Sequence, residues 1–353
     1  MLIFILSVIL SLSSLNAATE TPDDFQESLY REHFLTSAPA KNAWEDFCEQ
    51  QRGVVPVDSS QELIVSLTSY PARMRTTWLA TESLLRQDTK PTRVVLNLFE
   101  GEFPSRKLPL TIERQTSRGL EINWYPENLR VFLKVLPAIK KYPNALVVAF
   151  DDDVIYPSNV LTDLMAGHRK YPDCVIARNV REVKVENRQV LPVTYWNFTG
   201  WRKANYGMEP ALNLVPEGVF GILFPPSSLH LDFLRKDIFF QLCPSDDDVW
   251  LYTMTVMKGT KVVKIPTTQS LTYLLESQNN ETALWRTNFK DNGRVLCETF
   301  KRLFEAYDLG RLLNADSVLT ELSGEVALRL EIAKLASAVN GRVLTFLEKC
   351  FYA

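Results

Sequence analysis

The chain has 353 residues, 46% of them hydrophobic and 23% charged, with 39 basic side chains against 42 acidic ones for a net charge of -3. That balance belongs to folded globular proteins and excludes a disordered, collagen-like or polytopic membrane chain; at about 150 residues per domain, the length allows one large domain or two ordinary ones. No basic excess exists to drive nucleic-acid binding, so no nucleic-acid partner is expected.

The first element is an apolar run, Leu2–Leu15 (LIFILSVILSLSSL), followed by Asn16, Ala17 and Ala18. Its length suits a signal-peptide core and falls short of the ~20 residues of a membrane-spanning helix. Residues 1–18 are therefore expected to be a signal peptide or an uncleaved N-terminal anchor, which implies an exported or membrane-anchored protein. A buried first helix or strand is the alternative, which Ser11, Ser13, Ser14 and Asn16 fit badly. Residues 19–60 are polar and read as a linker with a short helix around Pro39–Arg52.

From Glu62 the texture changes. Leu63–Leu67, Val94–Leu98, Leu120–Trp124 and Ala145–Phe150 are short continuous apolar runs, each the length of a buried strand. Between them, Thr76–Arg86 and Arg130–Tyr142 carry apolar residues at helical spacing. Strands alternating with helices at this pitch predict a mostly parallel sheet flanked by helices, with ligands gathered at the carboxyl ends of its strands. The tail from Ser317 to Lys349 reads as one long helix or a helical pair, with Asn340-Gly341 as the interruption.

Ala145–Phe150 runs directly into Asp151-Asp152-Asp153. Three adjacent carboxylates repel one another unless a positive charge lies between them, and Mg²⁺ or Mn²⁺ prefers oxygen ligands. A solvated acidic turn is the plain alternative. A second triplet, Asp246-Asp247-Asp248, precedes Val249-Trp250-Leu251 and reads either as a helix cap or as a source of a general base. Gly218 and Gly221 flank an apolar segment ending in Pro225-Pro226; they allow either close approach to a ligand or a simple turn. Trp196, Trp201 and Trp250 are candidates for stacking on sugars, with core packing as the alternative. His33, His168 and His230 are scattered and form no metal-ligand spacing.

The order LIVSLTSYPARM, SLLRQ, KPTRVVLNLFEGEFP and KVLPAIKKYPNALVVAFDDDVIYP, followed by GVFGILFPP and LCPSDDDVWL, resembles the glycosyltransferases of the GT-A fold. The resemblance spans about residues 62–265 and points to a family-2-like bacterial group acting in surface polysaccharide synthesis. It implies a Rossmann-like GT-A domain over 61–270 and a C-terminal helical region over 271–353. By the same resemblance, Asp151 and Asp153 match a DxD motif holding Mn²⁺ or Mg²⁺, with Asp151 also near the ribose. Thr68, Ser69, Tyr70 and Arg73 match the nucleotide-side loop, Glu100 stands near a uridine-binding acid, and Lys134 would face the nucleotide or a phosphate. Asp247 and Asp248 match the acidic pair that opens the acceptor-side helix, with Asp248 as base, and Gly218, Gly221 and Trp250 would lie against substrate.

The implied reaction is metal-dependent transfer of a sugar from a nucleotide-diphosphate sugar, a UDP-sugar as the first expectation, to a glycan or other hydroxyl acceptor with inversion. A metal-dependent phosphohydrolase and an exported carbohydrate-binding protein without turnover are the alternatives.

Overall fold

The continuous apolar runs become neighbouring strands, as segments buried on both faces must. The computed structural model describes residues 22–35, 43–57, 61–198, 207–267, 269–274, 284–288 and 290–313. Within it, β1 (Leu63–Thr68), β2 (Arg93–Phe99), β3 (Leu120–Tyr125) and β4 (Leu146–Ala149) pair in parallel, with β1 between β4 and β2. The sheet continues past β4 through Ile222–Phe224, Val175–Ala177, Val262–Lys264 and Met208–Ala211 to a total of eight strands. Ile222–Phe224 runs antiparallel to both its neighbours, and Met208–Ala211 is antiparallel at the edge. This is a mixed α/β fold with a mostly parallel sheet, in agreement with a Rossmann-like GT-A arrangement.

Helices cover both faces. On one, Trp78, Leu79 and Leu84 of helix Met74–Leu85 and Val160, Leu161 and Leu164 of helix Val160–Lys170 pack against Val65, Leu67, Leu96 and Val148. On the other, Val249 and Tyr252 of helix Asp247–Lys258 and Leu296, Phe300 and Leu303 of helix Lys290–Tyr307 share a core with Phe132, Ile222 and Phe224. Within the expected C-terminal helical region, Thr272–Tyr273 is instead a short strand antiparallel to Val154–Ile155, while Leu284–Asn288 and Lys290–Tyr307 are helices. The expected helix over 317–349 and the N-terminal run 1–18 lie outside the described residues. Among the described residues, no helix is long and apolar enough to cross a membrane.

Two local readings change. The stretch Arg130–Tyr142 is not one helix but a 3-10 turn, Arg130–Lys134, followed by helix Leu136–Lys141. Pro137 lacks an amide donor and is tolerated only in the first turn, so the α-helix starts there. Ahead of β1, the polar stretch contains two helices, Asp24–Phe34 and Ala43–Glu49. Asp23 caps the first by accepting from the Gln26 amide at 2.9 Å. Tyr30 and Phe47 then pack on Trp78, whose indole donates to Gln26 Oε1 at 2.7 Å. Ala43–Glu49 is the short helix expected around Pro39–Arg52, whereas the few apolar residues of Asp24–Phe34 are diluted among charges and give no helical stripe.

Candidate functional site

β1, β2 and β4 end at one edge of the sheet, and the first aspartate triplet follows β4 there. Its backbone is pinned on both sides: the Asp151 amide donates to Tyr156 Oη at 2.9 Å, and the Leu274 amide donates to the Asp153 carbonyl at 2.9 Å. Tyr156 in turn donates to the Val219 carbonyl at 3.1 Å. Arg73, from the loop after β1, sets its guanidinium 2.5 Å from Asp152 Oδ1 and 3.3 Å from Asp153 Oδ2. Burial alone would lower the Arg73 pKa, but Asp152 and Asp153 outweigh it and hold the group charged.

The second triplet begins a helix. Asp246 is its cap, accepting from the Val249 amide at 3.1 Å and from Asn288 Nδ2 at 3.2 Å. Because Asp246 takes that task, Asp247 and Asp248 are free to turn inward from the first helical turn. Asp248 Oδ2 accepts the Gly218 amide at 2.7 Å. No side chain fits at position 218: a Cβ would lie 2.5 Å from Asp248 Oδ1 and 2.8 Å from Lys134 Nζ. Gly221, with φ +92, carries the chain back into the sheet beside Phe150.

Lys134 joins the two triplets. Its ammonium lies 3.0 Å from Asp151 Oδ1, 2.8 Å from Asp247 Oδ2 and 3.7 Å from Asp248 Oδ1. Lys134 and Asp247 form the buried floor, with 7% and 11% of their side-chain surface exposed, while Asp151 and Asp248 rise to solvent at 28% and 27%. Burial pushes the Asp247 carboxyl up to about 7 against the pull of Lys134, and Asp246 up to about 6. Asp248 is pushed up by burial too, again opposed by Lys134. Burial alone would lower the Lys134 ammonium, yet Asp151, Asp247 and Asp248 prevail and keep it charged well above the ordinary lysine range.

No family model matches the chain. No curated protein matches it either. Among solved structures, the chain is similar to the crystal structure of S. aureus TarS 1-349, at 13% identity over 69% of this chain and 72% of that one, with a TM-score of 0.40. A likeness this distant says nothing of function.

The residues singled out from sequence divide into three groups. Asp151, Asp247, Asp248, Lys134 and Gly218 meet within hydrogen-bond or ion-pair reach, and Arg73 meets Asp152 and Asp153 beside them. Thr68, Ser69 and Tyr70 line the end of β1: Thr68 Oγ1 donates to the Asn97 carbonyl, Ser69 Oγ bonds Thr77 Oγ1 at 2.8 Å, and the Arg73 guanidinium lies over the Tyr70 ring. Glu100 follows β2 at the same edge, with its carboxylate paired to Arg106.

One expectation is overturned. Trp250 does not face a sugar: it is 0% exposed, and its indole donates to the Phe233 carbonyl at 3.1 Å. At the second helical turn it sits on the face that meets the core. Lys134 is buried among carboxylates of both triplets rather than solvated on a helix face. Trp196 is likewise buried, edge-on to Phe300, and Trp201 lies outside the described residues.

Sequence reading missed Tyr156, which orients the first triplet, and Glu217, which holds Asn179 and Arg181 next to Gly218. The Tyr-Pro after the first triplet and the acid directly before Gly218 were the available signals. As for a metal, Asp152 Oδ2 is buried without a hydrogen-bond donor, and the donor set is hard oxygen throughout. Among the described residues, no three His, Cys, Asp or Glu side chains converge as a ligand set. Asp151 and Asp153 are the two carboxylates that could complete a Mg²⁺ shell with phosphate oxygens, and without a cation they pair with Lys134 and Arg73.

Proposed function

We propose that this chain is a metal-dependent glycosyltransferase that moves a sugar from a nucleotide-diphosphate sugar to a hydroxyl acceptor with inversion. The observation that carries this reading is the meeting of the two triplets at Lys134, with Asp151 after a parallel strand and Asp248 at a helix N-terminus. Metal-dependent transfer needs donor-side carboxylates to hold the cation and a separate base, and Asp151 and Asp248 both reach solvent here from a common buried floor.

Asp151 and Asp153 would hold Mn²⁺ or Mg²⁺, which when bound neutralises charge on the departing diphosphate. Arg73 steadies the triplet by its pairs with Asp152 and Asp153. Thr68, Ser69 and Tyr70 form the edge along which a nucleotide lies. Asp248 takes the proton of the attacking acceptor hydroxyl. The Gly218 amide and the helix N-terminus both favour its ionised form, opposing burial. Membrane attachment or export through residues 1–18, and a role in surface polysaccharide synthesis, belong to the same reading.

The test is a panel of nucleotide sugars screened for nucleotide release with and without Mn²⁺, with and without sugar acceptors. Release that needs both metal and acceptor, with an inverted product, supports the reading. Release to water alone means a phosphohydrolase; sugar binding with neither release nor metal effect means a binding protein.

A further inference from the structure

We infer that Lys134 is a positioning residue, an internal ammonium that fixes the donor-side carboxylate Asp151 and the acceptor-side carboxylate Asp248 relative to each other. The inference rests on the glycosyl-transfer reading and adds a part to it.

Three independent observations lead here. The first is the company of the ammonium. A buried charge is tolerated only when it is paired and hydrogen-bonded, and Lys134 is paired to carboxylates from both triplets at once. One N–H donates to Asp151 Oδ1 at 3.0 Å, and the ammonium is ion-paired to Asp247 at 2.8 Å.

The second is the way its backbone is held. The Lys134 carbonyl accepts Ser66 Oγ–H at 2.6 Å; Ser66 Oγ accepts Asn97 Nδ2–H at 3.0 Å; Asn97 Oδ1 accepts Asn123 Nδ2–H at 2.7 Å. A second N–H of Asn97 donates to the Leu67 carbonyl at 3.1 Å. This relay crosses β3, β2 and β1 through polar side chains, two of them wholly buried, and ends on the lysine. A solvated helix lysine needs no such support.

The third is Gly218. Its amide holds one oxygen of Asp248, and the space where its side chain would be is filled by Asp248 and the Lys134 ammonium. Asp248 is thereby held by an amide hydrogen bond on Oδ2 and faces the ammonium at 3.7 Å with Oδ1. Fixing a catalytic group to within a fraction of an ångström is worth about 10²-fold in rate.

The experiment uses the full chain with Mn²⁺ and the nucleotide sugar found active in the panel. Lys134→Met should lower kcat by about 10²-fold while KM for the nucleotide sugar changes several-fold at most. Because Lys134→Met leaves carboxylates unbalanced, the pair Lys134→Met with Asp247→Asn restores the charge balance and should fold without recovering kcat. Ser66→Ala keeps every charge, cuts only the relay, and should lower kcat several-fold with KM unchanged. Wild-type kcat in Lys134→Met, or a loss confined to KM as a phosphate contact would give, overturns the inference alone. A wild-type protein that releases no nucleotide from any nucleotide sugar removes the glycosyl-transfer reading and the inference with it.

Discussion

Two runs of three aspartates occur in this chain, and the fold makes different devices of them. The first follows a strand, is tied through its backbone to Tyr156 and Leu274, and meets a guanidinium at Asp152 and Asp153. The second opens a helix, spends Asp246 on the cap, and sinks Asp247 against an ammonium. Identical tripeptides thus acquire separate chemistry from neighbours supplied by distant parts of the chain. At the strand end Asp152 and Asp153 are buried against a guanidinium, whereas the helix start offers a dipole and an amide that favour a single ionised carboxylate.

The largest expected effect tests whether the two triplets do separate jobs. Asp248→Asn keeps shape and removes the proton acceptor, so kcat should fall by roughly 10²–10⁴-fold. Calorimetric affinity for UDP with Mn²⁺ should be retained in that variant and lost in Asp153→Ala. Equal loss of UDP affinity in both variants would mean that the triplets form one undivided site.

A smaller effect sharpens the acceptor-side half. In Gly218→Ala the added methyl meets Asp248 Oδ1 and Lys134 Nζ. We expect a stability loss of about 1–3 kcal/mol, as for other overpacked sites, together with a reduced kcat. Denaturant unfolding beside steady-state kinetics measures both, and an unchanged midpoint would show that the two groups can part.

The smallest effect is a pH dependence that belongs to the second triplet. Asp246 and Asp247 are raised from the ordinary 3.8 to about 6 and about 7 in the folded chain. The folded state therefore binds more protons than the unfolded one between pH ~4 and ~7, and these groups make stability fall as pH rises through that window. Without divalent metal, the melting temperature should be a few degrees higher at pH 5.5 than at 7.5. Asp247→Asn should flatten the difference, and a slope left intact in that variant would assign it to other groups.

The sheet was legible because its strands are local facts. Leu63–Leu67 and Val94–Leu98 announce themselves as apolar runs, and the structure extends each by only a residue or two. Short strands such as Val175–Ala177 and Ile222–Phe224 offer three residues of signal each and were not separately read. The site was legible in its acids, in Arg73 and in Lys134 as members, but not in what the Lys134 ammonium pairs with. Nothing near Lys134 in sequence tells that carboxylates from a helix far along the chain will enclose it. Trp250 failed for the opposite reason: an aromatic able to stack on a sugar packs equally well in a core, and two residues on from Asp248, about 200° round the helix, it takes the core face.

The polar relay beneath Lys134 also bears on how such a chain can change over evolutionary time. Ser66 and Asn97 occupy fully buried strand positions, where apolar side chains would satisfy packing alone. A net hydrogen bond contributes about 0.5–1.5 kcal/mol, and one more buried methylene about 0.8 kcal/mol, so a concerted apolar replacement of the relay costs the fold little. Drift under selection for heat tolerance and drift under selection for turnover therefore pull these positions apart. A descendant could keep all eight strands and both acidic triplets while losing the support beneath Lys134, so the residues at positions 66 and 97 would separate lineages that the triplets alone do not.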